Sequence, residues 1–143
     1  MGNVLTDKER EDVKTARGIL KQYESYHARQ PILKNNIELM SEEVKQTSKY
    51  YLRIMNIFHF MNDVEKAFDD MASYDGNEWS NEIKSDAEYL IKQRYLHGDI
   101  HKKTKDYQEI SGYTPGRYDR VFRIGLIIFG RLYKDTRGGN LIP

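Results

Sequence analysis

Cysteine is absent from this 143-residue chain. Without it there is no disulfide framework, no thiol nucleophile and no Cys-ligated zinc, so the zinc-finger route to nucleic acid is closed. Proline is scarce: Pro31, Pro115 and Pro143 are the three present, which leaves long stretches free to be helical. No apolar run approaches the ~20 residues of a transmembrane helix, and no apolar h-region opens the N-terminus. The expectation is an intracellular soluble protein with no membrane partner. Gly2 and Thr6 stand where a myristoylation signal would have them, but no second membrane cue accompanies them. A P-loop, a nucleophile elbow and a dinucleotide fingerprint are also missing, so the reading is a non-enzyme without catalytic residues, cofactor or metal.

Net charge is nearly absent too, with 23 Lys+Arg against 22 Asp+Glu. That balance hides an asymmetry. Residues 92–137 hold 11 basic and 5 acidic groups, a net +6, whereas residues 1–91 hold 12 basic and 17 acidic groups, a net −5. A cationic C-terminal third could meet a polyanion while the acidic remainder meets protein. Mean hydropathy is −0.80, yet 11 Tyr, 5 Phe, 1 Trp and 5 Met supply large groups for a core.

The chain reads as helical throughout, because no stretch sustains period-2 alternation with β-branched residues. Thr6-Asp7-Lys8-Glu9 is a capping-box pattern and starts the first helix. Its stripe is Val13, Ala16, Leu20, Tyr23 and His27; Gly18 weakens it by about 1 kcal/mol relative to Ala, and Pro31 ends it or opens the next helix. From Pro31 to Ala72, Leu33, Ile37, Met40, Val44, Thr47, Tyr51, Ile54, Phe58, Met61 and Phe68 keep a 3-4 spacing, with Glu65 the one slot out of character. Such spacing argues for packing against another helix, in the chain or across a dimer. Lys34-Asn35-Asn36 and Ser41-Glu42-Glu43 are candidate breaks, so one helix or two remains open. Tyr74-Asp75-Gly76-Asn77 reads as a turn and a domain boundary. A helix over Asn81 to His97 follows, ended by Gly98-Asp99.

The strongest signal lies in residues 104–134. A short helix over Thr104 to Ile110, capped by Thr104, precedes Ser111-Gly112-Tyr113, where Gly112 is free to adopt a left-handed conformation. Thr114 is a good N-cap and Pro115 suits the first helical position of a long helix to about Lys134. Cap, turn, cap and helix is the helix-turn-helix order. At 100° per residue the second helix divides into an apolar arc and a mainly basic arc, the latter holding Asp119, Arg120, Arg123, Gly130, Arg131 and Lys134 with Ile127 among them. The N-terminal residues of such a helix reach base edges in the major groove. Here Thr114, Arg117, Tyr118, Arg120 and Arg123 are the candidates, with Arg suited to guanine or phosphate. Arg131 and Lys134 lie too far along for the same bases and would meet backbone phosphate or an acidic surface, and Lys102, Lys103 and Lys105 would grip phosphate across the groove.

Leu90-Ile91-Lys92-Gln93-Arg94-Tyr95-Leu96-His97-Gly98 resembles the helix that precedes the motif in sigma-factor-like helix-turn-helix domains. Tyr107-Gln108-Glu109-Ile110 resembles their Tyr-x-Glu-Ile-Ala second helix, and Thr114 to Leu132 their recognition helix, with Tyr118 and Arg120 near the usual Tyr-Tyr-Arg. Over about residues 83–134 the chain is similar to the ArpU/RinA-type regulators of phages and prophages in Gram-positive bacteria. That resemblance implies an activator of late phage genes, acting in the bacterial host cytoplasm.

Other chemistry reads as structural. His97 and His101 are spaced i,i+4 but span Gly98-Asp99 and lack the zincin Glu. His59 and His27 read as packed core-edge residues, and Asp69-Asp70 and Glu42-Glu43 as solvated charge. The expected architecture is all-α: an N-terminal helical hairpin or coil for dimerisation or interaction over 1–74, a helix-turn-helix DNA-binding domain over 75–135 and a flexible tail over 136–143. The expected function is a transcription regulator of double-stranded DNA, with the N-terminal region forming a homodimer or contacting host RNA polymerase. A small terminase-type packaging subunit and a protein-binding modulator of a host factor are the alternatives.

Overall fold

Thr6 opens the first helix as its sequence requires: its hydroxyl accepts the Glu9 N–H at 3.1 Å and Glu9 Oε1 accepts the Thr6 N–H at 3.0 Å. The computed structural model describes residues 5–98 and 102–137, and within them the protein is all-α, with no strand. Six α-helices follow one another: α1 (Asp7–Glu38), α2 (Glu42–Thr47), α3 (Lys49–Asp70), α4 (Asn81–Tyr95), α5 (Thr104–Ser111) and α6 (Pro115–Arg137), with a single 3-10 turn at Met71–Ser73. Among the described residues no helix is long and apolar enough to cross a membrane. Gly2, Asp99 and His101, and the tail from Gly138 onward, lie outside the described residues.

Pro31 neither ends α1 nor starts a new helix; it lies inside one helix of 32 residues. A proline there costs one backbone hydrogen bond and a clash with the preceding turn. Its ring is exposed while Leu33 is buried two residues on, so packing on α3 carries the helix through. The Lys34-Asn36 stretch stays helical for the same reason. The chain does break at Ser41 and again at Ser48, whose hydroxyls accept the N–H groups of Val44 and Tyr51 at 3.2 and 3.1 Å. The region after Pro31 is therefore the end of α1, the short α2 and the long α3. α1 and α3 form an antiparallel hairpin: Asn36 Nδ2 donates to the Tyr50 hydroxyl at 2.9 Å, Tyr26 and Phe60 meet edge to face at 5.9 Å, and the Tyr23 hydroxyl donates to Glu65 at 2.8 Å. Glu65 breaks the apolar spacing because it receives that bond. Burial, followed by Glu65, raises the pKa of Tyr23 far above the usual phenol.

Ile54, Met61 and Phe68 of the expected stripe are buried, but so are Ile57, Phe60, Val64 and Ala67, whereas Val44 is exposed. A single seam is too narrow for α3, which packs against both α1 and α6.

α6 is the central helix of the molecule. From Ile124 to Gly130 every residue is buried, including Ile127, which is 1% exposed although it falls in the basic arc. A Cβ at Gly125 would sit 2.7 Å from Ile91 Cγ1 of α4, and one at Gly130 would sit 2.9 Å from the Asp12 carbonyl of α1. Two glycines thus let α4 and α1 close on α6 from different sides. The expected boundary at Tyr74/Asp75 has no counterpart in the packing: one hydrophobic cluster contains Leu20 and Tyr23 of α1, Phe68 of α3, Leu90 of α4 and Phe129 of α6. Phe68 and Phe129 meet at 5.4 Å, and Phe60 and Tyr133 at 6.1 Å.

Candidate functional site

The first turns of α6 reach the core through Tyr118 and Val121 and turn their other side outward, and the sequence around them fixes their shape. α5 ends at Ser111, and Gly112 takes φ 76°, the left-handed region that favours glycine. Ser111 Oγ donates to the Gln108 carbonyl at 2.6 Å and accepts the Tyr113 N–H at 3.2 Å. Thr114 Oγ1 accepts the Arg117 N–H at 3.3 Å, with Pro115 as the first residue of α6. Gln108 Nε2 donates to Asp119 at 3.3 Å and ties the two helices together. Thr104 is not the cap of α5 but its first residue; the preceding Lys103 N–H is taken by Asp106 Oδ2 at 2.9 Å, because a carboxylate three residues on meets that donor directly.

The sequence-predicted residues divide sharply. Thr114, Arg117 and Arg120 are exposed at the start of α6, and Lys102, Lys103 and Lys105 are exposed at the start of α5. Arg120 has no ion pair among the described residues and is turned to solvent at this helix start. Arg117 is partly engaged: its guanidinium lies 3.7 Å from Asp86 and 5.5 Å from the centre of the Tyr113 ring. Burial and then Asp86 raise the pKa of Tyr113. Lys102 lies 6.0 Å from the centre of the Tyr107 ring.

Tyr118 and Arg131 are placed elsewhere. Tyr118 is 3% exposed, stacked on Phe122 at 5.5 Å, with its pKa pushed by burial up to about 12. It supports the helix from inside. Arg131 Nε lies 3.3 Å from Asp12 Oδ2, while its Nη1 donates to the Tyr74 hydroxyl at 3.0 Å and to Glu78 at 2.8 Å. Lys134 reaches the other Asp12 oxygen at 3.2 Å, and Trp79 lies 5.7 Å under the Arg131 guanidinium. Burial alone would lower the pKa of Arg131, but Glu78 and Tyr74 hold it well above the usual range. The basic arc is therefore divided: its first two turns face outward, and its later cations neutralise a buried carboxylate of α1.

Sequence reasoning missed two arginines. Arg94 of α4 pairs with Glu24 of α1 and lies 4.9 and 5.1 Å from the ring centres of Tyr95 and Tyr107. Burial would lower its pKa, and the Glu24 carboxylate more than offsets that. Arg17 lies on the exposed side of α1. Together with Arg123 they line a cavity of about 350 Å³, whose other walls are Tyr95, Thr104, Tyr118, Asp119 and Phe122. Four separate helices contribute, so no spacing along the chain announces it.

Of the histidines, His27 stacks on Tyr23 at 5.4 Å as a core-edge residue, whereas His59 is exposed, turned outward between half-buried Phe58 and buried Phe60. Asp69 pairs with Lys92 at 3.0 Å and Glu42 with Lys45 at 3.4 Å. Among the described residues no group of three His, Asp or Glu side chains converges as a metal site. No protein-family model, curated protein or solved structure matches this chain.

Proposed function

We propose that the protein binds double-stranded DNA as a transcription regulator, with α5, the Gly112 turn and the first two turns of α6 acting as a helix-turn-helix. The observation that carries this reading is the unpaired Arg120, flanked by Arg117 and Arg123, at the exposed start of a helix whose remainder is clamped in the core. A recognition helix must present its N-terminal side chains rigidly to the groove. Burial of Ile124 to Gly130 supplies that rigidity. Thr114, Arg117 and Arg120 would face base edges, while Arg123, Lys102, Lys103 and Lys105 would hold phosphates. Tyr118 and Arg131, oriented inward, have no contact with DNA in this reading.

The resemblance to ArpU/RinA-type regulators supports late-gene activation in a phage or prophage as the setting. In electrophoretic mobility shifts against DNA selected from fragments of the source genome, Arg120→Ala is expected to cost about 1–3 kcal/mol of affinity, as loss of one good base contact does. Unchanged affinity in that variant and in Arg117→Ala would refute the assignment. A small terminase-type packaging subunit is the second reading, favoured by exposed Ile32, Leu39 and Leu52 near the closed end of the α1–α3 hairpin, with Leu39 78% exposed. Mass in solution separates the two, since a large ring belongs to packaging.

A further inference from the structure

The cavity between α1, α4, α5 and α6 gathers three arginines, of which the DNA-binding reading uses Arg123 alone. Three guanidinium groups, those of Arg17, Arg94 and Arg123, share its lining with one carboxylate, Asp119. Arg94 is already matched by Glu24, and Asp119 already accepts a hydrogen bond from Gln108. Arg17 and Arg123 have no ion pair among the described residues. Two unmatched cations, the exposed Arg17 of α1 and the half-buried Arg123 of α6, therefore border one recess. Like charges repel, and an anion seated between them relieves that repulsion. The planar guanidinium fork matches the oxygens of a phosphate in a bidentate manner, which an ammonium does not. Thr104 adds a hydroxyl donor at the same wall.

Size narrows the ligand further. The volume of about 350 Å³ falls in the range of small-molecule sites and well exceeds what a bare phosphate ion fills. The Phe122 ring on the same wall gives a planar organic group something to lie against. We propose that this cavity binds a small phosphate monoester, with Arg17 and Arg123 clamping the phosphate and Arg94 fixed by Glu24 as the third positive wall. The site shares Arg123 with the DNA-binding reading above but not the exposed Arg120, and it does not depend on that reading.

The test is a titration of the full chain with inorganic phosphate and with adenosine monophosphate at constant ionic strength, followed by amide chemical shifts. Saturable binding is expected, with shifts centred on Arg17, Thr104 and Phe122. Adenosine monophosphate should bind more tightly than inorganic phosphate. Arg17→Gln should weaken binding at least tenfold with thermal stability retained, and Arg120→Gln should leave it unchanged while weakening binding to DNA. Three results would overturn the proposal: shifts that never saturate, shifts spread over the exposed lysines, or an Arg17→Gln variant that folds and binds as the parent does. The fourth adverse outcome is an Arg17→Gln effect on DNA affinity with no binding of either small phosphate, which would assign the arginines to the DNA backbone instead.

Discussion

At the residue scale, Asp12 shows how a buried charge redirects its neighbours. Its side chain is 2% exposed and meets Arg131 and Lys134 at 3.3 and 3.2 Å. A carboxylate withdrawn from water is tolerated only when paired, and removing one partner of a buried pair costs about 3–5 kcal/mol. Asp12→Ala should cost less, about 2–3 kcal/mol, because Arg131 keeps Glu78 and Tyr74 and Lys134 reaches solvent. Urea unfolding with an unchanged m-value would measure it. Tyr118 yields a pH prediction. Its folded pKa is raised by burial to about 12 from the usual 10, so the folded state holds a proton that the unfolded chain releases above pH 10. Its contribution to stability is complete below pH 10 and declines as pH rises toward 12. Tm followed across that window should fall, and Tyr118→Phe should flatten the decline. An equally steep decline in the variant would show that other tyrosines, such as Tyr23, dominate.

At the scale of elements, α1 and α6 each carry glycines with opposite meanings. Gly18 has open space around a would-be Cβ, whereas a Cβ at Gly130 meets the Asp12 backbone at 2.9 Å. Gly18→Ala should stabilise the protein by about 0.5–1 kcal/mol through helix propensity alone. Gly130→Ala should destabilise it by about 1–3 kcal/mol, since two backbones must separate. Thermal melts of the two single variants check both signs. Thr6, Ser41, Gly112 and Thr114 were legible as punctuation because capping and left-handed turns are local chemistry. Pro31 was not, since tertiary contacts on Leu33 outweigh a local preference. The α6 arc misled for a related reason. Helical geometry says which residues share a side, but Ile127 is buried on a side where its neighbours Gly130 and Arg131 meet Asp12 of α1, a side that a two-helix motif would leave to solvent.

At the scale of the whole molecule, the acidic and basic parts of the chain interlock. Ion pairs cross from α1 to α6 at Asp12–Arg131 and from α1 to α4 at Glu24–Arg94, and the aromatic core continues from α1 through α3 into α6. The protein should therefore unfold in one cooperative transition rather than as an N-terminal hairpin and a separate C-terminal domain. Trp79, the sole tryptophan, lies by Arg131, so its fluorescence and the helical circular dichroism should change at the same temperature. Separate midpoints would demonstrate two independent units.

The sequence by itself determined that this protein is all-α, where its first and last helices are capped, and that cations gather around a Gly112 turn. Each of these follows from interactions within a few residues, which spacing and residue type express directly. Only the tertiary structure decided which cations remain available. Arg120 stays free, Arg131 is consumed by Asp12 more than a hundred positions away, and Arg17, Arg94 and Arg123 come to share one cavity. Charge acts through space, so its partners are set by how helices pack and not by their order along the chain.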